Sequence, residues 1–451
     1  MSILQAPGAH PASSSAPLRP DIRWDVVGEH LDEAAFLWTQ WELALGSPDF
    51  VLAEVAGGEE WRLRAHLEGL ALAAPAAIPR LLVPALQSEE RGRLCAAGQV
   101  LLGLGAPEAD RAVWELLVEG PEETTEALLR AAGLSQRAGL TQELAGRLSQ
   151  LKPESRPAAL DCLASLGHVP PALLQGSGLD EAPAELAAAL RAARFMDRAV
   201  AVPLVQRGLR ESGAVLDAAL RTGLVLGLRD AWLRCRQLTA EGTPEGGLSL
   251  VALATGGEAS DWEVLIRALS SPELRDAAVW ALGFSGQRVA AEALLGVLRN
   301  GGGALAAEAF AAITGMPPDV GAPPPAGEDE DGGTLPEVPA RTGSFPPPTM
   351  APGEWQAGAV EAWWSKARSR FEPGRRYLRG APWTPEATLK ALMSEPMHRR
   401  AVLAWELAVR TRGAFHLDTR GWAYQQARRL AAQRLVASEA VSRSFSSFIT
   451  H

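Results

Sequence analysis

Apolar residues recur at helical spacing along most of the chain. Near the start of this pattern, Val27, Leu31, Ala35 and Trp38 follow the 3.6-residue period of an α-helix, with acidic residues between them. From residue 59 to 314, further apolar segments are interrupted by Gly and Pro, often at intervals of about 12 to 20 residues, which suits helices of three or four turns. Period-2 alternation of β-branched residues is absent from this region. The pattern predicts an all-α fold.

One sequence motif is repeated along the chain: an apolar helix that begins with Arg, a Gly-centred turn and a second apolar helix. Residues 275–299 read RDAAVWALGFSGQRVAAEALLGVLR and residues 93–118 read RLCAAGQVLLGLGAPEADRAVWELLV, so that Arg275 corresponds to Arg93. A single helix pair cannot bury its apolar face and needs stacked neighbours. We therefore predict a right-handed α-solenoid of helix pairs over residues 22–316.

Composition divides the chain into segments of different character. The predicted segments are a disordered Pro/Ala/Ser-rich arm (1–21), the helical array (22–316), a Pro-rich linker (317–353) with an acidic EDED run, a small aromatic-rich helical domain (354–436) and a frayed tail (437–451). In the aromatic-rich domain, helices are predicted at about 356–371, 385–395, 397–411 and 420–436, and Thr384-Pro385-Glu386 provides an N-cap followed by Pro at the first helical position. The linker is expected to let this domain swing, that is, to move relative to the helical array.

Charge is unevenly divided between these segments. From Glu354 to His451 there are 16 Lys/Arg against 8 Asp/Glu, whereas the whole chain has a formal net charge of −10. The two parts are therefore expected to attract each other. Cys95, Cys162 and Cys235 are far apart and form no metal-ligand spacing, so neither disulfides nor a metal site is predicted. Neither a secretory signal nor a long apolar run is present, which predicts a cytoplasmic protein without a membrane segment.

Several stretches of the sequence resemble a known family. DAAVWALGFSGQRVAAEALLGVLRNGGGALAAEAFAAITG (276–315) resembles HEAT-like repeats of the phycobilisome-lyase type. With EHLDEAAFLWTQW (29–41) and AWWSKARSRFEPGRRYLRGAPWTPEATLKAL (362–392), the layout looks like an uncharacterised proteobacterial family of HEAT-repeat proteins. The resemblance implies a HEAT-like α-solenoid without an assigned activity, often encoded near type VI secretion spike and adaptor genes. It supplies no catalytic residues.

The best candidate for a partner-binding site is the aromatic and basic cluster after the linker. Trp, Tyr and Arg dominate interface hot spots because they bury much area and keep a polar group available. The predicted partner-binding residues are Trp363, Trp364, Arg368, Phe371, Arg375, Arg376, Tyr377 and Arg379. Trp364, Arg368 and Phe371 share a helix face, while Trp363 projects about 100° away. The two tryptophans are therefore not expected to point into the same small core, and one of them is expected to dock on the array or on a partner. Alternatively, these rings fill the core of a small domain, or the cluster binds nucleic acid, which the acidic remainder of the chain disfavours.

Catalytic signatures are missing from the sequence. There is no nucleophile elbow, phosphate-binding loop, H-E-x-x-H motif or dinucleotide fingerprint, so no catalytic residue and no cofactor is predicted. An enzyme of the lyase or glycosylase kind remains an alternative, in which Trp232, Asp261, Trp262 and Trp280 line a groove of the array. The favoured hypothesis is a non-catalytic scaffold or adaptor that binds another protein. The family resemblance implies that this partner is a component or cargo of a type VI secretion machine.

Overall fold

The computed structural model confirms the predicted all-α class. It describes residues 22–167, 169–174, 182–243, 247–323, 345–350, 353, 355–433, 443–447 and 449. The predicted arm (1–21) and the EDED run lie outside these residues. Within them nearly all regular structure is helical. Strands in the described part are confined to one antiparallel hairpin, Tyr377–Leu378 with Ala381–Pro382, which the sequence pattern did not indicate.

The helices follow one another with short connections. Those of the array are α1 (Trp24–Ala44), α2 (Leu52–Gly57), α3 (Glu59–Leu72), α4 (Val83–Ala85), α5 (Arg91–Leu104), α6 (Pro107–Glu119), α7 (Glu122–Ala132), α8 (Leu140–Arg147), α9 (Arg156–Ser165), α10 (Pro183–Ala193), α11 (Arg198–Gly208), α12 (Gly213–Val225), α13 (Arg229–Glu241), α14 (Gly247–Gly256), α15 (Ala259–Ala268), α16 (Arg275–Ser285), α17 (Arg288–Arg299) and α18 (Ala304–Thr314). After the linker come α19 (Ala357–Ala367), α20 (Pro385–Ser394), α21 (Arg400–Arg410) and α22 (Ala423–Ala432). A π-helical turn at Ile78–Leu82 precedes α4, and 3₁₀ turns occupy Leu148–Gln150, Pro153–Ser155, Pro171–Leu174, Arg368–Arg370, Met397–Arg399 and Phe445–Ser447.

The array has two layers that follow chain order. The inner layer consists of α1, α5, α7, α9, α10, α12, α14, α16 and α18, each in contact with the next. The outer layer consists of α3, α6, α8, α11, α13, α15 and α17, each packed on one or two inner helices. Repeated helix pairs thus stack in sequence order, as their shared need to bury one face requires. The solenoid arrangement and its right-handed superhelical sense stay predictions.

The two layers differ in the distribution of apolar residues. In α14 every residue from Leu248 to Gly256 is buried, whereas α17 buries only one stripe, which includes Ala291, Leu294 and Leu298. A helix that is apolar on all sides must be covered on all sides, and one with a single stripe faces solvent on the other. The composition of the inner helices therefore requires a second cover besides the outer layer.

The C-terminal segment (residues 355–433) provides that cover. It contacts the inner layer through the hairpin on α18 and through α21 on α12. It also packs on α17 of the outer layer through α19, and on α2 through α20 and α22. The buried apolar residues of this segment belong to the same core as those of the array. The expectation that the segment swings on the linker is therefore wrong, because its apolar surface is shared with the array along its whole length.

Both ends of the array meet on one turn of this segment. The N–H of Met397 donates to the Phe50 carbonyl at 2.9 Å, in the connection between α1 and α2. Two residues later, Nη2 of Arg399 donates to the Gly283 carbonyl of α16 at 3.0 Å. The C-terminal segment thus joins the first and the last repeats of the array.

Two residues that were predicted to lie in unpacked segments are buried instead. Phe345, in the predicted linker, packs on Trp405 with ring centroids 5.3 Å apart. Phe445, in the predicted frayed tail, is 0% exposed. Aromatic rings help to anchor these Pro- and Ser-rich stretches, because each ring buries a large apolar area.

Candidate functional site

The aromatic residues of the predicted partner site form a ladder in the core. Ring centroids are 5.5 Å apart for Phe310 and Trp364, 5.1 Å for Trp364 and Phe371, and 4.8 Å for Phe371 and Tyr377. Trp364, Phe371 and Tyr377 are buried, and Trp363 is partly buried with its ring 6.2 Å from that of Phe310. The two tryptophans therefore share an apolar neighbour on α18, and these rings attach the C-terminal segment to the array.

The arginines of the same site are mostly engaged inside the molecule. Arg376 binds Glu406 through both terminal nitrogens, and Arg379 binds Glu395 at 2.7 and 2.8 Å. Arg368 reaches across to Glu292 of α17 at 2.7 Å, on the surface. Arg375 is half-exposed and pairs with its neighbour Glu372 at 3.3 Å. Of the predicted site, Arg368 and Arg375 offer the most free surface.

The C-terminal segment caps a row of helix C-termini. The last carbonyls of a helix lack intrahelical partners and carry the negative end of the macrodipole, so N–H donors and cations are favoured there. The capping hydrogen bonds run from Trp422 Nε1 to Leu134 O (3.0 Å) after α7, from Trp405 Nε1 to Arg221 O (3.3 Å) near the end of α12, from Arg410 Nη2 to Thr255 O (2.8 Å) at the end of α14, from Arg376 Nη2 to Phe284 O (2.8 Å) at the end of α16, and from Arg379 N to Ala312 O (2.8 Å) at the end of α18. The excess of arginine in this segment thus has a structural use.

The close approach of the hairpin to the end of α16 depends on a glycine. Gly286 follows α16 with φ +65°, and its carbonyl accepts the Tyr377 N–H at 2.8 Å. A Cβ on Gly286 would overlap the Tyr377 carbonyl oxygen. Only glycine combines this positive φ with room for the hairpin to lie against the helix end.

Buried carboxylates neutralise the buried arginines. Glu406 is fully buried between Arg376 and Arg410, and Arg410 donates to it at 2.7 Å. Burial by itself raises the pKa of Glu406, but the two guanidinium groups more than offset it and hold that pKa below its usual range. Glu395 behaves in the same way: burial opposes ionisation, and Arg379 and Arg399 outweigh it, so the pKa is lowered. These clusters are ionised at neutral pH and hold the segment in register.

Glu60, on α3, caps the N-terminus of the distant helix α22. Its carboxylate accepts the N–H groups of Ala423 (2.5 Å) and Tyr424 (2.8 Å) at the N-terminus of α22, and Trp41 Nε1 at 2.8 Å. Burial raises the pKa of Glu60, and the two backbone N–H groups oppose that rise. The sequence marks Glu60 only as an acidic residue at the start of α3, but it serves the N-terminus of α22 as well.

Replacing Glu60 by alanine is expected to lower the free energy of unfolding by about 2 kcal/mol or more, because three buried N–H donors lose their acceptor. Urea denaturation followed by far-ultraviolet circular dichroism measures this change. Glu59→Gln is the matched control, since Glu59 begins the same helix and should change stability by no more than about 0.5 kcal/mol. Equal stability of the Glu60 and Glu59 variants would contradict the capping role.

The residues of the alternative groove are not arranged as an open catalytic cleft. Trp280 is buried and stacks on Phe284 and His398, with ring centroids 4.7 and 5.2 Å away. Asp261 accepts from Arg236 at 2.8 Å and from the N–H of Glu258, which caps α15. Trp232 packs on Phe445. In the part of the chain that the structure describes, no three His, Cys, Asp or Glu side chains are placed to hold a metal ion.

Among the residues that the structure describes, the outer face of α3 carries the two most exposed large apolar side chains. Trp61 and Leu72 are 63% and 86% exposed, and Ala65 and Glu68 lie between them on the same side of the helix. Their spacing of four, three and four residues places all four side chains on one face. We call these four residues the α3 face. Phe36 of the neighbouring helix α1 is also exposed, at 53%.

A groove runs beside the α3 face. It has a volume of about 470 Å³ and is lined by apolar residues, which include Leu67, Val100 and Leu104, and by polar residues, which include Arg64 and Tyr424. The guanidinium of Arg64 lies 3.9 Å above the Tyr424 ring. The sequence did carry a signal for this surface: Leu63, Leu67 and Leu70 define the buried side of α3, and Trp61 and Leu72 fall outside that register.

Comparison with known protein families, curated proteins and solved structures gave no match. The HEAT-like family therefore stays a resemblance. Among the described helices, none combines the length and the apolar character that a membrane crossing would need.

Proposed function

We propose that this protein is a non-catalytic scaffold or adaptor that binds another protein through the α3 face. The observation that carries the proposal is the pair Trp61 and Leu72, two large apolar side chains left in solvent on one helix. A tryptophan in that position has no role in the core and is the residue type most enriched among interface hot spots. The groove beside it gives a partner residue a place to insert.

The inner layer does not serve this purpose, because the C-terminal segment already covers it. Binding to nucleic acid gains little support, since Arg376, Arg379, Arg399 and Arg410 are engaged with carboxylates. The protein would act in the bacterial cytoplasm. The resemblance described above makes spike and adaptor proteins of a type VI secretion machine the first partners to test.

Replacing Trp61 and Leu72 together by alanine is expected to weaken partner binding at least about 30-fold, the loss of one hot spot of roughly 2 kcal/mol. The partner would first be captured from the source cell with the wild-type chain and identified by mass spectrometry. It would then be purified, and its affinity for each variant measured by isothermal titration calorimetry. Leu233→Ala is the matched control, because Leu233 is an exposed apolar residue on α13, an outer helix.

The scaffold proposal fails if the double variant keeps wild-type affinity for that partner. It also fails if the wild-type chain captures nucleic acid in place of protein and releases it between about 50 and 200 mM salt. Unchanged circular dichroism of the variants excludes unfolding as the cause of any loss, as expected for exposed side chains.

A further inference from the structure

The last described residues of the chain, 443–447 and 449, fill a closed pocket against the array. The ring of Phe445 lies 5.7 Å from that of Trp232 on α13 and 6.5 Å from that of Trp405 on α21, both edge to face. The Arg410 guanidinium lies 5.1 Å from the centre of the Phe445 ring. On another side the ring contacts Gly256, where any Cβ would overlap it. The pocket therefore fits one aromatic side chain closely.

Polar contacts on either side of Phe445 complete the recognition. Ser444 Oγ donates to Oε1 of Glu258 at 3.2 Å, and Ser446 Oγ donates to the same oxygen. The carbonyl of Arg443 accepts from Arg410 Nη1 at 2.7 Å. One carboxylate thus binds two hydroxyl groups, and one guanidinium binds a backbone carbonyl. We call Trp232, Gly256, Glu258, Trp405 and Arg410 the tail pocket.

The walls of the tail pocket are held in place without the tail. Arg410 is bound by Glu406 at 2.7 Å and by the Thr255 carbonyl at 2.8 Å. Trp405 Nε1 donates to the Arg221 carbonyl. Glu258 caps α15 together with Asp261. Because these partners belong to the array and to α21, the pocket is largely preformed, as peptide-binding sites usually are.

The described residues of the tail are attached by their apolar side chains and by the polar contacts given above. Within the tail, Ser447 N donates to Ser444 O and Ile449 N donates to Phe445 O. The large apolar side chains that it is seen to bury are those of Phe445 and Ile449. These contacts must offset the conformational entropy of ordering the tail, and a separate peptide with the same side chains can make the same contacts.

We propose that the tail pocket is a peptide-binding site for a phenylalanine flanked by hydroxyl-bearing residues, that the chain's own tail occupies it, and that a separate peptide of the same chemistry can replace that tail. This inference is independent of the α3 face. The tail is covalently joined to α22, so a competing peptide faces an effective tail concentration of the order of mM. Removing the phenylalanine of the tail removes most of that competition.

The test uses the full-length Phe445→Ala variant and a fluorescent synthetic peptide with the sequence of residues 442–451, SRSFSSFITH. Fluorescence anisotropy should show saturable binding that is at least about tenfold tighter than binding of the same peptide to the wild-type chain. The control peptide carries Phe445→Ala and keeps the other phenylalanine. It should bind at least about tenfold more weakly. A peptide with Ser444→Asp and Ser446→Asp should also lose affinity, since its carboxylates would face Glu258.

Equal binding of the wild-type and control peptides, or no binding to a folded Phe445→Ala chain, would overturn the proposal. If that variant does not fold, a protease site placed between residues 433 and 443 of the wild-type chain gives a second measurement. After cleavage, excess labelled peptide should exchange with the native tail, as mass spectrometry of the gel-filtered complex would show. A cleaved tail that labelled peptide never replaces means that the stretch is a fixed part of the core, and the proposal is then wrong.

Discussion

Replacing Glu406 by glutamine is expected to lower the free energy of unfolding by about 3 to 5 kcal/mol, the usual cost of removing one member of a buried ion cluster. Glutamine keeps the shape of the side chain but removes the negative charge. Arg376 and Arg410 would then remain as two cations in the interior without a counter-ion. Burial already lowers the pKa of Arg410 to about 10, and the carboxylate of Glu406 opposes that shift. Without this carboxylate, only the effects that disfavour a charged Arg410 remain, which are burial and the neighbouring Arg376.

Urea denaturation at pH 7 measures this change, since urea does not screen charges as a salt would. Glu361→Gln is the matched control, because Glu361 pairs with Arg299 on the surface, where both side chains are about half-exposed. That change should cost no more than about 1 kcal/mol. A loss of less than about 1 kcal/mol for Glu406→Gln would show that the cluster does not hold the C-terminal segment on the array.

Local signals in the sequence predicted the helices of the C-terminal segment well. The predicted helix at 385–395 is observed at Pro385–Ser394, and Thr384 Oγ1 accepts the Ala387 N–H at 3.0 Å as the predicted N-cap. The predicted helix at 397–411 is a 3₁₀ turn followed by α21. Capping residues and the helical period act over a few positions, so one sequence is enough to read them.

The short hairpin escaped prediction for the same local reason. Its strands have two residues each, too few for an alternation to show. The turn places Arg379 and Gly380 at φ +48° and +78°, and an Arg-Gly pair is a weak turn signal beside Asn-Gly or Asp-Gly. The hairpin is fixed instead by its contacts with the ends of α16 and α18.

The individual long-range contacts could not be predicted from the sequence. Glu60 and Ala423 are separated by 363 positions, and nothing near either residue indicates the other. The charge division did indicate attraction between the two parts, and ion pairs such as Arg368 with Glu292 and Arg399 with Glu308 confirm it. Composition did not show whether the aromatic and basic cluster serves a partner or the chain itself, because tryptophan and arginine are favoured at both kinds of interface.

Stability is expected to fall steeply as the pH decreases from about 6.5, because two histidines are held neutral in the folded protein. Burial, with Arg399 next in effect, lowers the pKa of His398 to about 3, and burial with Arg194 lowers that of His416 to about 3. Glu308 lies 3.7 Å from His398 Nε2, but it is shared with Arg399 and does not restore the pKa. In the unfolded chain both imidazoles bind a proton near pH 6.5.

The sign of the effect follows from proton counting. Between about pH 6.5 and pH 3 the unfolded chain binds up to two more protons than the folded protein, so lowering the pH favours unfolding. The contribution is fully present above about pH 6.5 and falls by about 1.4 kcal/mol per pH unit for each histidine, or about 2.7 kcal/mol for both. Glu395 and Glu406, whose pKa values are lowered, add their own loss only below about pH 4.5.

Urea denaturation at pH 7, 6 and 5 measures these contributions, since histidines with ordinary pKa values titrate in that range. Glu60, whose pKa burial raises, contributes with the opposite sign and is common to every variant, so its contribution cancels in the comparison. His66, whose pKa is lowered by burial and by His30, adds to the slope in every variant and cancels in the comparison. His416→Asn should reduce the slope between pH 6 and pH 5 by about 1.4 kcal/mol per pH unit, and His398→Gln by a similar amount. Should the slope stay the same in both variants, the histidines are protonated in the folded protein. The pocket formed by Trp280, Glu308 and Arg399 would then admit a charge that its burial argues against.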